Sequence, residues 1–537
     1  MFFEFKPKSY SLSYANLAIM KAGSRLIVLL LILVAAIVIF SYLSGPSSPP
    51  EHGTGSNTPA NSTNATHVSS SYHCQGCNVI IISIDSLRAD HLGAYGYAKN
   101  TSPNMDELAS RGVVFRNYIT PAYLTPISEF SMHTSLYPHE HGLAVSNRYG
   151  QEHPLASPPE TIASILKKYN YSTAAISTSP EFDYRDEFRT GFDSFISAQG
   201  RTLPGIDETF MRNLMSRKFF LWIAIGEAHA PYGEFVPRET AERYEDPEYN
   251  GMFKNYSADR IILLWIYGNS YYVPENMSDP ASPSKRTNLS QEDFNYIVAK
   301  YDSGIDYADQ YVGNLSRALK ALGLDRNTII IVTSAHGEEF GEHGYIWHYD
   351  IYEPEIHVPL IMAGPGLGNR TIESQAQSID VLPTILDFLQ IPAYEKARGQ
   401  SLAPLIANGD NSSFNKFVFI ERTPLWEEFA IAAPAPPQVH YDFAVRTNGW
   451  KLIYRASRDW EMNNSYFQNL SGERIYVPEF ELYNIREDPA EQYNLYLSRP
   501  DIANELKPQL FGWLSGVNQT LSFTRNETVG KRIFPYP

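Results

Sequence analysis

Four polar residues stand where apolar runs end. Asp85 closes NVIIISID (78–85), Glu227 and His229 close FFLWIAIGEAH (219–229), and His336 closes TIIIVTSAH (328–336). A carboxylate is a hard oxygen ligand for Ca²⁺, Mg²⁺ or Mn²⁺, and an imidazole ligates divalent ions or moves protons near neutrality. Parallel sheets bind ligands beyond the carboxyl ends of their strands, so these residues define a candidate site if the runs are neighbouring strands of one sheet. A second constellation, His73 to Cys77 (HCQGC), lacks the further Cys or His pair that a zinc knuckle needs. Cys74 and Cys77 therefore read as a small local disulfide or as free thiols.

The elements that must position these residues are legible as runs and stripes. Buried parallel strands are predicted at 78–85, 172–178, 219–229, 328–336 and 358–364, with helical stretches between several of them. The clearest helix carries Tyr301, Ile305, Ala308, Val312, Leu315, Leu319 and Leu322 at three- and four-residue steps, stops at Gly323, and is expected to lie across the sheet. After about residue 410 the pattern changes to FVFIERT, YDFAVRT and WKLIYRAS and then a helix-like ELKPQLFGWL, which reads as a smaller antiparallel subdomain over 411–537.

Composition bounds the partners. The 537 residues carry Lys+Arg 43 against Asp+Glu 59, a net charge of -16, with 43% hydrophobic and 13% aromatic residues. Such a chain buries a large core and is unsuited to nucleic acid. Residues 26–43 form an apolar run with Lys6, Lys8, Lys21 and Arg25 before it and no basic residue after it until Arg88. They are expected to span a membrane, with 1–25 cytoplasmic, 44–72 an extended Ser/Pro/Asn-rich stalk and everything beyond outside the cell. A cleaved signal peptide is the alternative, and it exports the same residues. Fourteen Asn-x-Ser/Thr sequons lie between Asn61 and Asn526 and none precedes the apolar run, which points to a glycosylated exterior.

From about Asn78 to Leu495 the chain resembles the sulfatase family of the alkaline phosphatase superfamily. The resemblance is carried by IIISIDSLRADHLGAYGY, TSPNMDELASRGVVF, LTPISEFSMHTSLYPHEHG, AHAPY, TSAHGEEFGEHGYIWHYDIYEPEIHVPLIMAGPG, SIDVLPTILDFL and ELYNIREDPAEQYNL in this order. It implies an alkaline-phosphatase-like α/β fold over 73–410, a mixed or parallel sheet sandwiched by helices. It also implies a divalent metal ion, Ca²⁺, Mn²⁺ or Zn²⁺, on Asp85, Thr125 and His336, and a nucleophile at Thr125. By the same resemblance His229 and His348 contact the reacting group, and Glu227 and His343 bind substrate.

Four positions depart from the family pattern. Ser86 and Ala335 stand where relatives have carboxylates, Glu129 stands where they have Arg or His, and Ala224 replaces a His. Threonine cannot become the formylglycine aldehyde of sulfatases, so Thr125 has to attack directly as a metal-activated alkoxide. The resemblance thus implies hydrolysis of sulfuric or phosphoric esters of a surface molecule. The alternative is a degenerate site that lost its metal, in a protein that binds a glycan or a partner or serves as a structural cell-surface glycoprotein.

Overall fold

The computed structural model describes residues 72–422, apart from 144–154, 156–157, 180–181, 183–184, 199–213, 216, 255–264, 267–270, 275–283, 288 and 344–345, together with 442–456 and 478–524. The apolar run 26–43 and all of the stalk 44–72 but Tyr72 lie outside the described residues. Among the described residues no helix is long and apolar enough to cross a membrane.

Eight strands make the central sheet: β1 Asn78–Ile84, β2 Val113–Phe115, β3 Ser172–Ser177, β4 Ser194–Ser197, β5 Phe219–Ile225, β6 Thr328–Thr333, β7 Leu360–Ala363 and β8 Arg370–Ile372, in the order β8-β2-β7-β6-β1-β5-β3-β4. Strands β6, β1 and β5 are adjacent and parallel, so the loops that follow them open on one edge. Strand β7 is a correction to the sequence reading: it runs antiparallel to both β6 and β2.

Continuous apolar strands form because both sheet faces are covered. Val79 and Ile81 of β1 face one core, with Phe130 and Met132 of helix α2 (Thr125–Thr134), Ile162 and Leu166 of α3 (Ile162–Lys168), and Val381 and Ile385 of α5 (Val381–Phe388). Ile80, Ile82 and Ile84 face the other, with Met105 and Leu108 of α1 (Pro103–Ser110) and Tyr301, Ile305 and Val312 of α4 (Gln291–Ala321). Helix α4 starts about ten residues before the apolar stripe, where the Ser290 side chain accepts from Asp293 N and Asp293 bonds back to Ser290 N. It ends with Gly323 at φ +69°, a left-handed position that glycine occupies without strain.

Strands β9 Val418–Arg422, β10 Asp442–Arg446, β11 Lys451–Arg455 and β12 Phe480–Tyr483 form an antiparallel sheet in sequential order. Ile420, Ala444 and Ile453 pack on Ile119, Ile127 and Ile356, while Phe443, Leu452 and Leu482 pack on Ala503, Leu506 and Leu510 of α6 (Pro500–Thr524). Buried ion pairs on Glu353 tie this sheet to the main body, Arg446 at 2.9 Å and Lys451 at 3.5 Å, and Lys451 also pairs with Glu491 of its own subdomain at 2.8 Å. Cys74 and Cys77 form a disulfide at the start of the described chain.

Candidate active site

Asp85 follows β1, Glu227 and His229 follow β5, and His336 follows β6, so three adjacent parallel strands deliver them to one edge. Thr125 is the first residue of α2, which brings it to the same place. Its Oγ1 lies 3.1 and 3.2 Å from the two Asp85 carboxylate oxygens and 3.0 Å from His336 Nε2, and His336 Nε2 lies 3.3 Å from Asp85 Oδ1. All three side chains are buried.

Local hydrogen bonds hold the loops. Ser86 adopts φ +58°, and its carbonyl accepts from the Tyr301 hydroxyl at 2.7 Å while that hydroxyl accepts from Arg88 N at 2.9 Å. Ser334 Oγ accepts from Leu87 N and donates to the His336 carbonyl, clasping the β1 and β6 loops together. His336 Nδ1 is 2.8 Å from the Gly337 carbonyl, an acceptor only, so the ring proton is on Nδ1 and Nε2 presents a lone pair to Thr125. Burial pushes this imidazole down to about 4, opposed by the bond to Gly337, and keeps it neutral at pH 7.

The cluster extends through rings. The His336 and His348 centroids are 4.1 Å apart, and His229 lies 5.1 Å from His348 and 6.3 Å from His336. His229 Nδ1 donates to the Ala230 carbonyl at 2.6 Å, which fixes that ring. His348 Nδ1 is 3.0 Å from Glu338 Oε1. Burial raises the Glu338 carboxyl well above its ordinary range and lowers His348 well below its own, both of which favour the neutral pair. A neutral Glu338 can donate its hydroxyl to Nδ1, an arrangement that leaves the His348 ring proton on Nε2 as a donor.

Glu227 is buried and accepts from the Thr178 hydroxyl at 3.1 Å. His343 pairs with Glu339 at 2.8 Å, contacts the Glu491 carbonyl and stacks on Tyr352 at 3.5 Å; none of these partners belongs to the Thr125 cluster. Glu129 points to the sheet, where it accepts from the Ser83 hydroxyl. Burial, opposed by that bond and reinforced by Asp85, lifts its carboxyl to about 8. The negative charge that the sequence places beside the nucleophile is therefore quenched by protonation at neutral pH.

Asp85, Thr125 and His336 suit a divalent cation in donor chemistry. A carboxylate and an imidazole lone pair converge on one hydroxyl, and its proton is the single hydrogen the three groups share. Ala335 supplies no ligand, and among the described residues no group of three His, Cys, Asp or Glu side chains encloses a metal position. The positive charge of Arg88 is directed elsewhere, to Asp90 at 2.8 Å and Glu342 at 2.6 Å.

Tyr301, Ser334, Glu338 and Trp347 support this site and were not singled out for it by the sequence. Tyr301 is hidden in an apolar helix stripe, whereas Glu338 and Trp347 sit two and one positions from His336 and His348, a proximity that could have marked them.

Residues 77–391 match the family model described as Sulfatase, and residues 341–469 match the one described as N-sulphoglucosamine sulphohydrolase, C-terminal. Arylsulfatase K of Rattus norvegicus is 24% identical over 81% of this chain and 77% of its own length. A solved structure of a protein in complex with its substrate D-glucosamine-2-N,6-O-disulfate superimposes with a TM-score of 0.60 at 19% identity, covering 84% of this chain and 99% of its own. The phosphonate monoester hydrolase of Agrobacterium radiobacter gives 0.59 at 19% identity, covering 83% and 95%.

Proposed function

The chain belongs to the sulfatase family of the alkaline phosphatase superfamily, and from that premise we propose that it hydrolyses phosphoric or sulfuric esters, phosphoric ones preferentially, with Thr125 as the nucleophile. The observation that carries this reading is the Thr125 hydroxyl, held within hydrogen-bond reach of Asp85 and His336 at a helix N-terminus. Members of the family generally use a divalent metal ion, and Asp85, Thr125 and His336 are the residues that would hold it. When bound, such an ion lowers the pKa of a coordinated hydroxyl and neutralises an oxyanion.

The chain's own groups account for the remaining steps. Asp85 accepts the Thr125 proton and orients Oγ1 toward the phosphorus. His348 passes its Nε2 proton to the leaving oxygen while its Nδ1 takes the proton of the Glu338 hydroxyl, so the ring stays neutral. Water then attacks the phosphorus of the Thr125 ester and gives a proton to His348 Nε2, Nδ1 returns its proton to Glu338, and Thr125 Oγ1 leaves with the proton held by Asp85. His229 and Glu227 line the side of the site that β5 supplies.

One observation favours a second reading, a site that binds without turnover. Ala335 leaves Asp85 and His336 without the third strong ligand, which weakens any metal. Assay of the full chain with 4-nitrophenyl phosphate, bis(4-nitrophenyl) phosphate and 4-nitrophenyl sulfate in Mn²⁺ decides between them. Phosphate turnover abolished by Thr125→Ala supports the esterase, and no turnover in any metal supports the binder.

The place of action is part of the same proposal. An exterior, membrane-tethered glycoprotein is supported by the apolar run 26–43 and by the sequon residues Asn100, Asn170, Asn314, Asn369 and Asn411, which are all exposed. Protection of residues 72–537 from protease in intact cells would overturn it.

A further inference from the structure

A cleft of about 1000 Å³ opens where the segment after α2, the end of α3 and the loop after α5 meet. It reaches the upper end of the roughly 300–1,000 Å³ that ligand clefts span. Thr125 begins α2 and Leu136 of the cleft follows its last turn, so about 15 Å of helix separates the two places. Ester hydrolysis at Thr125 gives this cleft no role.

Its walls suit an uncharged ligand that has both apolar and hydroxyl surface. Pro158, Pro159, Pro392 and the rings of Tyr169 and Tyr394 supply apolar area. Tyr169 is 40% exposed, and among the described residues its hydroxyl has no hydrogen-bond partner. The acidic groups Glu140, Glu160 and Glu395 are matched by Lys168, Lys396 and Arg398. Two of these pairs close on each other, Glu140 with Arg398 at 2.5 Å and Glu160 with Lys168 at 2.6 Å. The balance leaves no net charge to hold an ion, whereas charged donors and acceptors bond strongly to hydroxyl groups.

The turn that places Tyr169 in the cleft sets an attachment point beside it. Asn170 closes α3 at φ +65°, donating from its N–H to the Lys167 carbonyl while Tyr171 N–H donates to the Leu166 carbonyl. It also opens the sequon Asn170-Tyr171-Ser172. Arg217 Nη1 donates to Asn170 Oδ1 at 3.0 Å. A guanidinium has donors only, so the amide oxygen has to face it. Nδ2, the atom that carries an N-linked glycan, is then left without a partner among the described residues.

We infer that this cleft seats the glycan carried by Asn170, whose first sugars fold back over Tyr169 and reach Tyr394, with C–H faces on the rings and hydroxyl groups on the charge pairs. The covalent step is the host's: Nδ2 loses a proton and displaces the lipid-linked pyrophosphate from C1 of the first sugar. A ligand tethered one residue from the cleft wall needs little intrinsic affinity, because its effective concentration is of order millimolar. The inference rests on the exterior-glycoprotein reading and adds a binding site to it.

Hydroxyl-radical footprinting of the full chain from its native host, read by mass spectrometry, tests it. Tyr394 is the reporter, since it lies across the cleft from Asn170 and far from it in sequence. Its oxidation rate should rise at least about threefold when the glycan is removed by Asn170→Gln or by Ser172→Ala, which leaves Asn170 in place. It should rise equally in Tyr169→Ala with the glycan still attached. Ser172→Thr, which keeps the sequon, and Asn314→Gln, which removes a distant one, should leave it unchanged. An unaltered Tyr394 rate in the glycan-free forms overturns the seat, as does an equal rise in Asn314→Gln or an unoccupied Asn170 in a chain glycosylated elsewhere; each of these leaves the glycoprotein reading standing. A chain without glycan at any sequon overturns both.

Discussion

The Tyr301 hydroxyl joins the long helix α4 to the loop after β1, donating to the Ser86 carbonyl at 2.7 Å and accepting from Arg88 N at 2.9 Å. Ser86 follows Asp85, so a phenol in the middle of a helix sets where the metal-type carboxylate stands. Tyr301→Phe leaves a buried carbonyl and a buried N–H without a partner and should cost about 2–3 kcal/mol of stability. The loop then loosens while the core stays filled, so kcat should fall more than KM rises. A phenylalanine variant with unchanged denaturation midpoint and kcat would show that the loop is held by Ser334 alone.

Thr125 gives the sharpest chemical test. Thr125→Ala removes Oγ1 from between Asp85 and His336 and should lower phosphate-ester turnover by at least about 10³-fold. Thr125→Ser keeps the hydroxyl and should retain a measurable share. Aryl sulfates should be poorer substrates than aryl phosphates for the wild type. Robust sulfatase activity that survives Thr125→Ala would falsify the assignment of the nucleophile.

Glu129 predicts a pH-dependent stability. Its carboxyl is lifted to about 8, by burial first, while in the unfolded chain it ionises near 4.5. Between these values the folded state holds a proton that the unfolded state has released, so this group makes stability fall as pH rises from about 4.5 to 8. The ceiling is about 5 kcal/mol. Glu129→Gln, neutral at every pH, should flatten that fall, and urea denaturation at pH 5 and pH 8 measures it. Equal pH dependence of both forms would place an ionised carboxylate at 129 and restore the repulsion of an oxyanion there.

What the sequence disclosed, and what it hid, follows from which physics is local. A strand covered on both faces must be apolar throughout, so β1, β5 and β6 are legible as runs, and the residues ending them are legible as site candidates. Direction is not coded in a run, because apolar periodicity is the same both ways, and β7 is accordingly antiparallel where its residues read like its neighbours. The start of α4 is signalled by Ser290 and Asp293 at capping-box spacing rather than by the apolar stripe. The pairs Arg446 to Glu353 and Lys451 to Glu491 are 93 and 40 residues apart in sequence, beyond any pattern. Glu129 shows the limit for the site: its type suggests a charge, and only its burial beside Ser83 shows that the charge is absent.

Ala335 offers the test that separates a weakened metal site from a lost one. It is buried between Ser334, which clasps the Leu87 loop, and His336, which touches Thr125, so its backbone position is fixed from both sides. A carboxylate there would stand beside Asp85 and His336 and supply the anion that the group lacks. Changes in outer groups alone alter metal affinity by about 10–100-fold, and a direct anionic ligand should matter at least as much. Ala335→Asp should therefore tighten Mn²⁺ or Zn²⁺ binding by at least tenfold in calorimetric titration and raise phosphate-ester turnover that depends on Thr125. Without a metal, the new charge faces Asp85 in a buried place and should lower stability; added metal should restore it, since a ligand that binds only the folded state stabilises that state. A variant that is destabilised and not rescued by either ion would mean that Asp85, Thr125 and His336 form a hydrogen-bonded cluster in which no metal sits.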